Sequence, residues 1–191
     1  MLDDSYDNLL IKKSRQGDSS AFCKLIQLYQ DKIFTLCRYL LKNPEDADDA
    51  AQDTFVKAFI GIENYTPTAS FYTWLYRIAV NTCLDHKRKF SLRSFFFPSE
   101  SDSTVDDFPS PIPTPEAALA SKQSMQFLQT ALHRLSPKLR MVIVLKELEG
   151  QSYEEIAEIL DVSVGTVKSR ISRARKELQQ QMKKNTEQKR Q

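Results

Sequence analysis

Lys168, Ser169, Ser172, Arg173 and Lys176 fall on one side of a helical wheel, while Val167, Ile171, Ala174 and Leu178 recur at four, three and four on the other. Long cationic donors reach guanine edges or phosphates, and short hydroxyls permit close approach, so this stripe suits the major groove of a duplex. An ordinary helical hairpin with a solvated basic face is the alternative. A second stripe, Asp46, Asp49 and Asp53, runs at spacings of three and four beside Gln52. It reads either as solvated surface or as a metal site, since Asp48-Asp49 followed by Asp53 is similar to the DDxxD of all-helical isoprenoid synthases. That enzyme class fails on three counts: the chain is too small for its helical barrel, a second acidic motif is missing, and the class spacing is one residue shorter. A third group is aromatic, Phe71, Tyr72, Trp74 and Tyr76, although Trp74, Leu75 and Ile78 fit an inward face at least as well as a DNA face. No nucleophile, general base or metal cluster is visible, and neither catalytic residue nor cofactor is expected. Cys23, Cys37 and Cys83 are far apart, and His86 and His133 have no ligand partners nearby in sequence. Buried thiols in a reducing compartment are the expectation.

The elements that position these groups read as helices. Asp4 to Gln16 is amphipathic and stops at Gly17. Ser19 or Ser20 is the expected cap of a long segment with apolar residues at 22, 25, 26, 29, 33, 36, 37, 40 and 41. Pro44 opens a third helix with acids in its first turn and Ala47, Ala51, Phe55, Ala58, Phe59 and Ile62 as its apolar positions. Ser70 to Lys89 is a fourth, ending in His86-Lys87-Arg88-Lys89. From Pro115 helices resume: Glu116 to Leu135, then one capped by Ser136 with Pro137 behind it and stopping at Gly150. Two more, Ser152 to Leu160 and Val164 to about Met182, flank the turn Asp161-Val162-Ser163. Ser152 with Glu155 forms a capping box, Ile156, Ile159 and Leu160 face inward, and Val162 plugs the turn. Residues 151–176 thus have the form of a helix-turn-helix.

The expected fold is all-α, with two small helical domains: residues 1–92, a linker over 93–114, residues 115–185, and a basic tail over 186–191. Four glycines in 191 residues, with five of the eight prolines between Pro98 and Pro115, exclude a hairpin-rich all-β chain. The longest apolar run, Met141 to Leu145, is far short of the roughly 20 residues that span a bilayer. With no apolar leader after Met1, a soluble, cytoplasmic protein without membrane insertion is expected. Net charge is only +2, but residues 115–191 carry 14 basic against nine acidic side chains, and from Lys168 onward the ratio is nine to two. Residues 91–114 carry one Arg against four acids, with Ser and Pro. That asymmetry marks a nucleic-acid-binding C-terminal module behind an extended acidic linker. Phe95-Phe96-Phe97 docks either on the first domain or on a partner.

With these motifs in this order, the chain resembles the extracytoplasmic-function (group IV) sigma factors of bacterial RNA polymerase, sigma-E-like branch. Asp46-Ala-Asp-Asp-Ala-Ala-Gln-Asp-Thr-Phe55 resembles the core-polymerase-binding segment of region 2. Ser70-Phe-Tyr-Thr-Trp-Leu-Tyr-Arg-Ile-Ala-Val-Asn-Thr82 resembles its promoter-melting, −10-reading segment. The stretches from Leu139, Ser152 and Val164 resemble region 4. The resemblance implies that Asp46, Asp49, Gln52, Asp53 and Phe59 meet the clamp helices of the polymerase β′ subunit, while region 4 meets the β flap. It implies that Tyr65 and Asn81 line a pocket for an unstacked −10 base, with Ser70, Phe71 and Tyr72 nearby. Arg77, His86, Lys87 and Arg88 then become phosphate contacts. Lys168, Ser169, Ser172 and Arg173 would read the −35 element, and Thr166, Arg170 and Arg175 would hold its backbone. The resemblance also implies an anti-sigma factor as a partner, and a linker directed toward the RNA exit path. The loop Tyr65-Thr-Pro-Thr-Ala-Ser70 departs from the Arg-Gly-Asp usual in that branch. A stand-alone helix-turn-helix regulator explains the C-terminal half equally well, but not the acidic stripe and aromatic segment ahead of the linker.

Overall fold

In a computed structural model describing residues 4–96 and 115–188, helices follow one another with short turns and, among the described residues, no strand. They are α1 (Asp4–Arg15), α2 (Ser19–Leu40), α3 (Pro44–Gly61), a 3-10 turn (Ile62–Asn64), α4 (Phe71–Phe96), α5 (Pro115–Arg134), α6 (Pro137–Ile143), α7 (Tyr153–Leu160) and α8 (Val164–Gln188). The linker expected over 93–114 lies mostly outside the described residues, as does Phe97. Helix α4 runs to Phe96, past the expected end at Lys89, because no helix breaker intervenes before Pro98.

Local chemistry sets the boundaries. Gly17 takes φ +90° after α1, a conformation costly for any residue with a Cβ. The cap of α2 is Asp18 rather than either serine: its Oδ1 accepts from the Ser20 and Ala21 N–H groups at 2.9 and 3.1 Å. A carboxylate is the stronger acceptor at a positive helix end; the Ser20 hydroxyl, donating to Oδ1 at 2.7 Å, and then the Ala21 N–H hold Asp18 below the usual carboxylate range. Asn43 caps α3 ahead of Pro44 by accepting from the Glu45 N–H at 2.8 Å.

In the N-terminal bundle, α2 buries the periodic stripe from Phe22 through Leu25, Ile33, Leu36 and Cys37 to Leu40. Cys23 lies off that stripe and is exposed, so only Cys37 and Cys83 match the expectation of buried thiols; their sulfurs touch at 3.5 Å as free cysteines. The inner face of α3 is small, Ala47, Ala50, Ala51, Thr54 and Ala58, which lets α2 and α4 approach it closely. The C-terminal bundle closes around Val142, Val144, Leu145, Ile156, Ile159, Val167, Ile171 and Ala174, all buried. Each larger aliphatic side chain among them contributes about 1.5–3 kcal/mol of burial free energy.

Helix α6 does not continue regularly to Gly150. Residues Val144–Leu148 form a π-helical turn, with the Glu149 N–H bonded to the Val144 carbonyl at 3.1 Å. The extra residue advances the phase by about 100°, so Glu147 faces α8 while Glu149 faces α4. The two bundles pack together, α7 on α4 and both α5 and α6 on α2. No helix among the described residues is long and apolar enough to cross a membrane.

Candidate nucleic-acid and partner interfaces

The helix-turn-helix forms as its sequence dictates. The Ser152 Oγ accepts from the Glu155 N–H at 3.1 Å while Glu155 Oε2 accepts from the Ser152 N–H at 2.8 Å. Asp161 ends α7 in the left-handed region, φ 51°. Ser163 Oγ caps α8 by accepting from the Thr166 N–H at 3.2 Å. Val167, Ile171 and Ala174 are buried, and Lys168, Ser169, Ser172, Arg173 and Lys176 are exposed. Thr166 and Arg170 are half-buried at the edge of the stripe. The Lys168 Nζ lies 5.6 Å from the centre of the Tyr153 ring, and the Lys146 Nζ lies 4.9 Å from it, so one phenol gathers two cations beside the basic stripe. Arg175 is exposed but engaged: its Nη2 and Nε donate to Glu147 Oε1 at 2.6 and 3.0 Å.

On α3, Asp49, Gln52 and Asp53 are exposed and Asp46 is half-buried. The same face continues into Val56, Phe59 and Ile60, at 57%, 52% and 70% exposure. Phe59 therefore leaves the buried stripe assigned to it from periodicity; its ring lies edge-on to Phe22, centroids 5.1 Å apart. Val56 and Ile60 escape sequence reasoning, although the three–four spacing from Gln52 and Asp53 leads to them. Asp53 Oδ2 sits 2.8 Å from His86 Nε2, tying His86 to α3 rather than leaving it toward a phosphate. Among the described residues no group of three or more His, Cys, Asp or Glu side chains could hold a metal ion.

The aromatic segment divides in two. Tyr65 and Phe71, expected beside an unstacked base, are instead interior, at 5% and 6% exposure. The Tyr65 ring lies 5.8 Å from Phe71 and 5.2 Å from Trp74, and its hydroxyl donates to the Ala69 carbonyl at 2.7 Å. Burial raises the Tyr65 phenol above its ordinary pKa. Trp74 is half-buried in this cluster and leans on Gly61, where a Cβ would stand 3.3 Å from the indole. Ser70 caps α4, its Oγ accepting from the Thr73 N–H at 3.1 Å. Asn81, Lys87 and Arg88 are exposed, whereas Tyr65 is buried.

The other half of the segment meets the C-terminal bundle. Tyr72 and Tyr76 stack with centroids 4.0 Å apart, and the Tyr76 hydroxyl donates to Glu149 Oε2 at 2.6 Å. Burial, then the Glu149 charge, pushes the Tyr76 phenol well up; burial likewise raises Glu149. Arg77 Nη2 donates to the Glu158 carbonyl at 2.8 Å. Tyr76, Glu149 and Glu158 are not among the expected site residues; α4 meets Glu158 on α7 and Glu149 at the end of the π-helical turn.

These faces define a two-bundle helical protein with an exposed basic stripe on the second helix of a helix-turn-helix and a separate exposed acidic–apolar face on α3. Residues 25–92 match the family model described as Sigma-70 region 2, and residues 126–178 match that described as Sigma-70, region 4. The chain is 39% identical over 178 residues to the ECF RNA polymerase sigma-E factor of Haemophilus influenzae, covering 88% of this chain and 91% of that one. It is 37% identical over 176 residues to the ECF RNA polymerase sigma factor SigW of Bacillus subtilis, covering 90% and 94%. Among solved structures, CnrH in complex with the cytosolic domain of CnrY superposes with a TM-score of 0.70 at 27% identity, over 93% of this chain and 97% of that one. The sigma factor RpoE of Bartonella quintana, in complex with the anti-sigma factor NepR, superposes with a TM-score of 0.72 at 27% identity, over 85% and 96%. The chain belongs to the extracytoplasmic-function sigma factors of the sigma-70 family.

Proposed function

We propose that this chain docks on core RNA polymerase through the α3 face and directs it to promoters by reading the −10 element with region 2 and the −35 element with α8. The observation that favours this reading over a stand-alone regulator is the exposed surface of Asp49, Gln52, Asp53, Val56, Phe59 and Ile60. A helix-turn-helix alone needs no such surface, and an apolar patch rimmed by carboxylates is suited to a protein partner. The polymerase performs the chemistry, so the chain acts as a non-enzymatic subunit in the cytoplasm. An anti-sigma factor is its proposed inhibitor, since two similar solved structures are such complexes or their counterpart with a cytosolic domain. The test is run-off transcription: purified protein plus core polymerase should produce discrete starts on promoter templates that core alone ignores. Duplex binding without any start would return the chain to the regulator class.

The Arg175–Glu147 pair makes the −35 contact adjustable. Glu147→Gln should release the guanidinium toward the DNA backbone and steepen the salt dependence of −35 duplex binding by about one unit in log Kd against log salt. Fluorescence anisotropy across a salt series reads this directly, and an unchanged slope would remove Arg175 from the phosphate contacts.

A further inference from the structure

We propose that Cys37 and Cys83 form an oxidisable dithiol, a modification site for hydrogen peroxide whose product is a disulfide joining α2 to α4. The two residues lie 46 positions apart, yet their sulfurs stand 3.5 Å from each other in the core of the N-terminal bundle. Both are free thiols. A disulfide needs about 2 Å between sulfurs, so a closure of about 1.5 Å completes the bond, within reach of side-chain rotation and a small helix movement. The two thiols differ in access. Cys37 is sealed, at 0% exposure, whereas Cys83 lines a cavity of about 20 Å³ with Leu40, Leu41, Leu84, Lys87 and Arg140. That space admits a molecule little larger than water, which suits hydrogen peroxide and excludes bulkier hydroperoxides.

Cys83 is the attacking sulfur and Cys37 the resolving one. The hydrogen bond with Cys83, then burial, raise the Cys37 thiol well above its ordinary pKa, so Cys37 keeps its proton until it reacts. Lys87 and Arg140 border the cavity that Cys83 faces, and positive charge there stabilises the negative charge that develops as sulfur attacks a peroxide. In the first step the Cys83 sulfur bonds to one peroxide oxygen as the O–O bond breaks. The leaving hydroxide takes the thiol proton and departs as water, and Cys83 becomes a sulfenic acid. In the second step the Cys37 sulfur bonds to the Cys83 sulfur, the S–O bond breaks, and the departing hydroxide leaves as water with the Cys37 proton. Two thiols lose two electrons in all, and one peroxide is reduced to two waters. The cross-link closes a loop that contains all of α3, which restricts the unfolded chain. It is buried, so the exposed face of α3 and the stripe on α8 stay open, and the site is independent of the promoter reading.

The experiment uses the full chain in a Cys23→Ser background, which removes the exposed thiol. Hydrogen peroxide added to the folded protein should lower the intact mass by two hydrogens, and peptide mapping should join an α2 peptide to an α4 peptide. The thermal midpoint should rise by about 5 °C or more and return on treatment with dithiothreitol. Cys37→Ala in this background should halt at a sulfenic acid on Cys83, trapped by dimedone, while Cys83→Ala should leave Cys37 unmodified. In the wild-type chain, tert-butyl hydroperoxide should oxidise the pair, relative to Cys23, at least about tenfold more slowly than hydrogen peroxide does. A folded protein that keeps both thiols, or reaches a sulfinic acid on Cys83 without the cross-link, overturns the proposal. Mapping of the Cys23→Ser protein decides this even where an alanine variant fails to fold. Equal relative rates with the two peroxides, or modification of Cys37 in the absence of Cys83, overturn entry through the cavity.

Discussion

Gln52→Lys together with Asp53→Lys is expected to weaken association with core RNA polymerase by roughly thirtyfold or more while leaving helix content and −35 duplex binding unchanged. Gln52 and Asp53 are both exposed, on the side of α3 opposite Ala47, Ala50, Ala51, Thr54 and Ala58, so the substitutions do not touch the core. Within the chain they break the pairing of Asp53 with His86, at 2.8 Å on a solvent-exposed carboxylate, and a pair of that kind is worth about 1 kcal/mol or less. The change at the interface is larger. Two lysines reverse the sign of a stripe that would face a complementary basic surface, and removing or reversing a docked charge costs about 2–5 kcal/mol. Every 1.4 kcal/mol is about a factor of ten, so Kd should rise by roughly thirtyfold to several thousandfold. Titration of labelled protein with core polymerase measures it, with run-off transcription as the functional readout. Retained affinity would move the docking face elsewhere.

How far the sequence reaches is set by the range of the interactions concerned. The capping box at Ser152 and Glu155, the proline at the start of α3 and the opposed faces of α8 are legible because each signal lies within one or two helical turns. Asp18 is hard to single out as a cap because two serines follow it and compete for the same role. Phe59 illustrates a different limit: a helical period says which residues share a face, and an aromatic at the edge of the apolar arc can lie on either side. The π-helical turn at Val144–Leu148 has no local signature at all, since five consecutive apolar residues from Met141 read as an ordinary buried helix. That turn decides that Glu149 faces Tyr76, a partner 73 positions away. The aromatic segment of α4 is therefore legible, while its contact with the C-terminal bundle is not.

Arg140→Met is expected to lower the stability of the C-terminal bundle by about 3–5 kcal/mol, the largest effect anticipated for any single substitution. Arg140 is buried at 6% exposure, and its guanidinium serves four backbone carbonyls. Nε donates to Leu132 at 2.9 Å, Nη2 to His133 at 2.7 Å and to Leu135 at 3.2 Å, and Nη1 to Leu40 at 2.7 Å. Those carbonyls belong to the C-terminal ends of α5 and α2, where helices run out of intrahelical donors and carry partial negative charge. One planar fork thus caps two helices and joins the two bundles. Burial lowers its pKa only to about 10, so it stays charged at neutral pH. The neighbouring His133, lowered to about 4 by burial and then by the Arg140, Lys42 and Lys87 charges, stays neutral. Methionine fills comparable volume but leaves the carbonyls unpaired, at about 1–3 kcal/mol for each that water cannot reach. Arg140→Lys should recover only part of the loss, because an ammonium cannot span carbonyls arranged for a planar fork. Urea denaturation of the three proteins orders them wild type, lysine, methionine. A methionine variant within about 1 kcal/mol of wild type would show that these caps are dispensable and that packing alone joins α2 to α5.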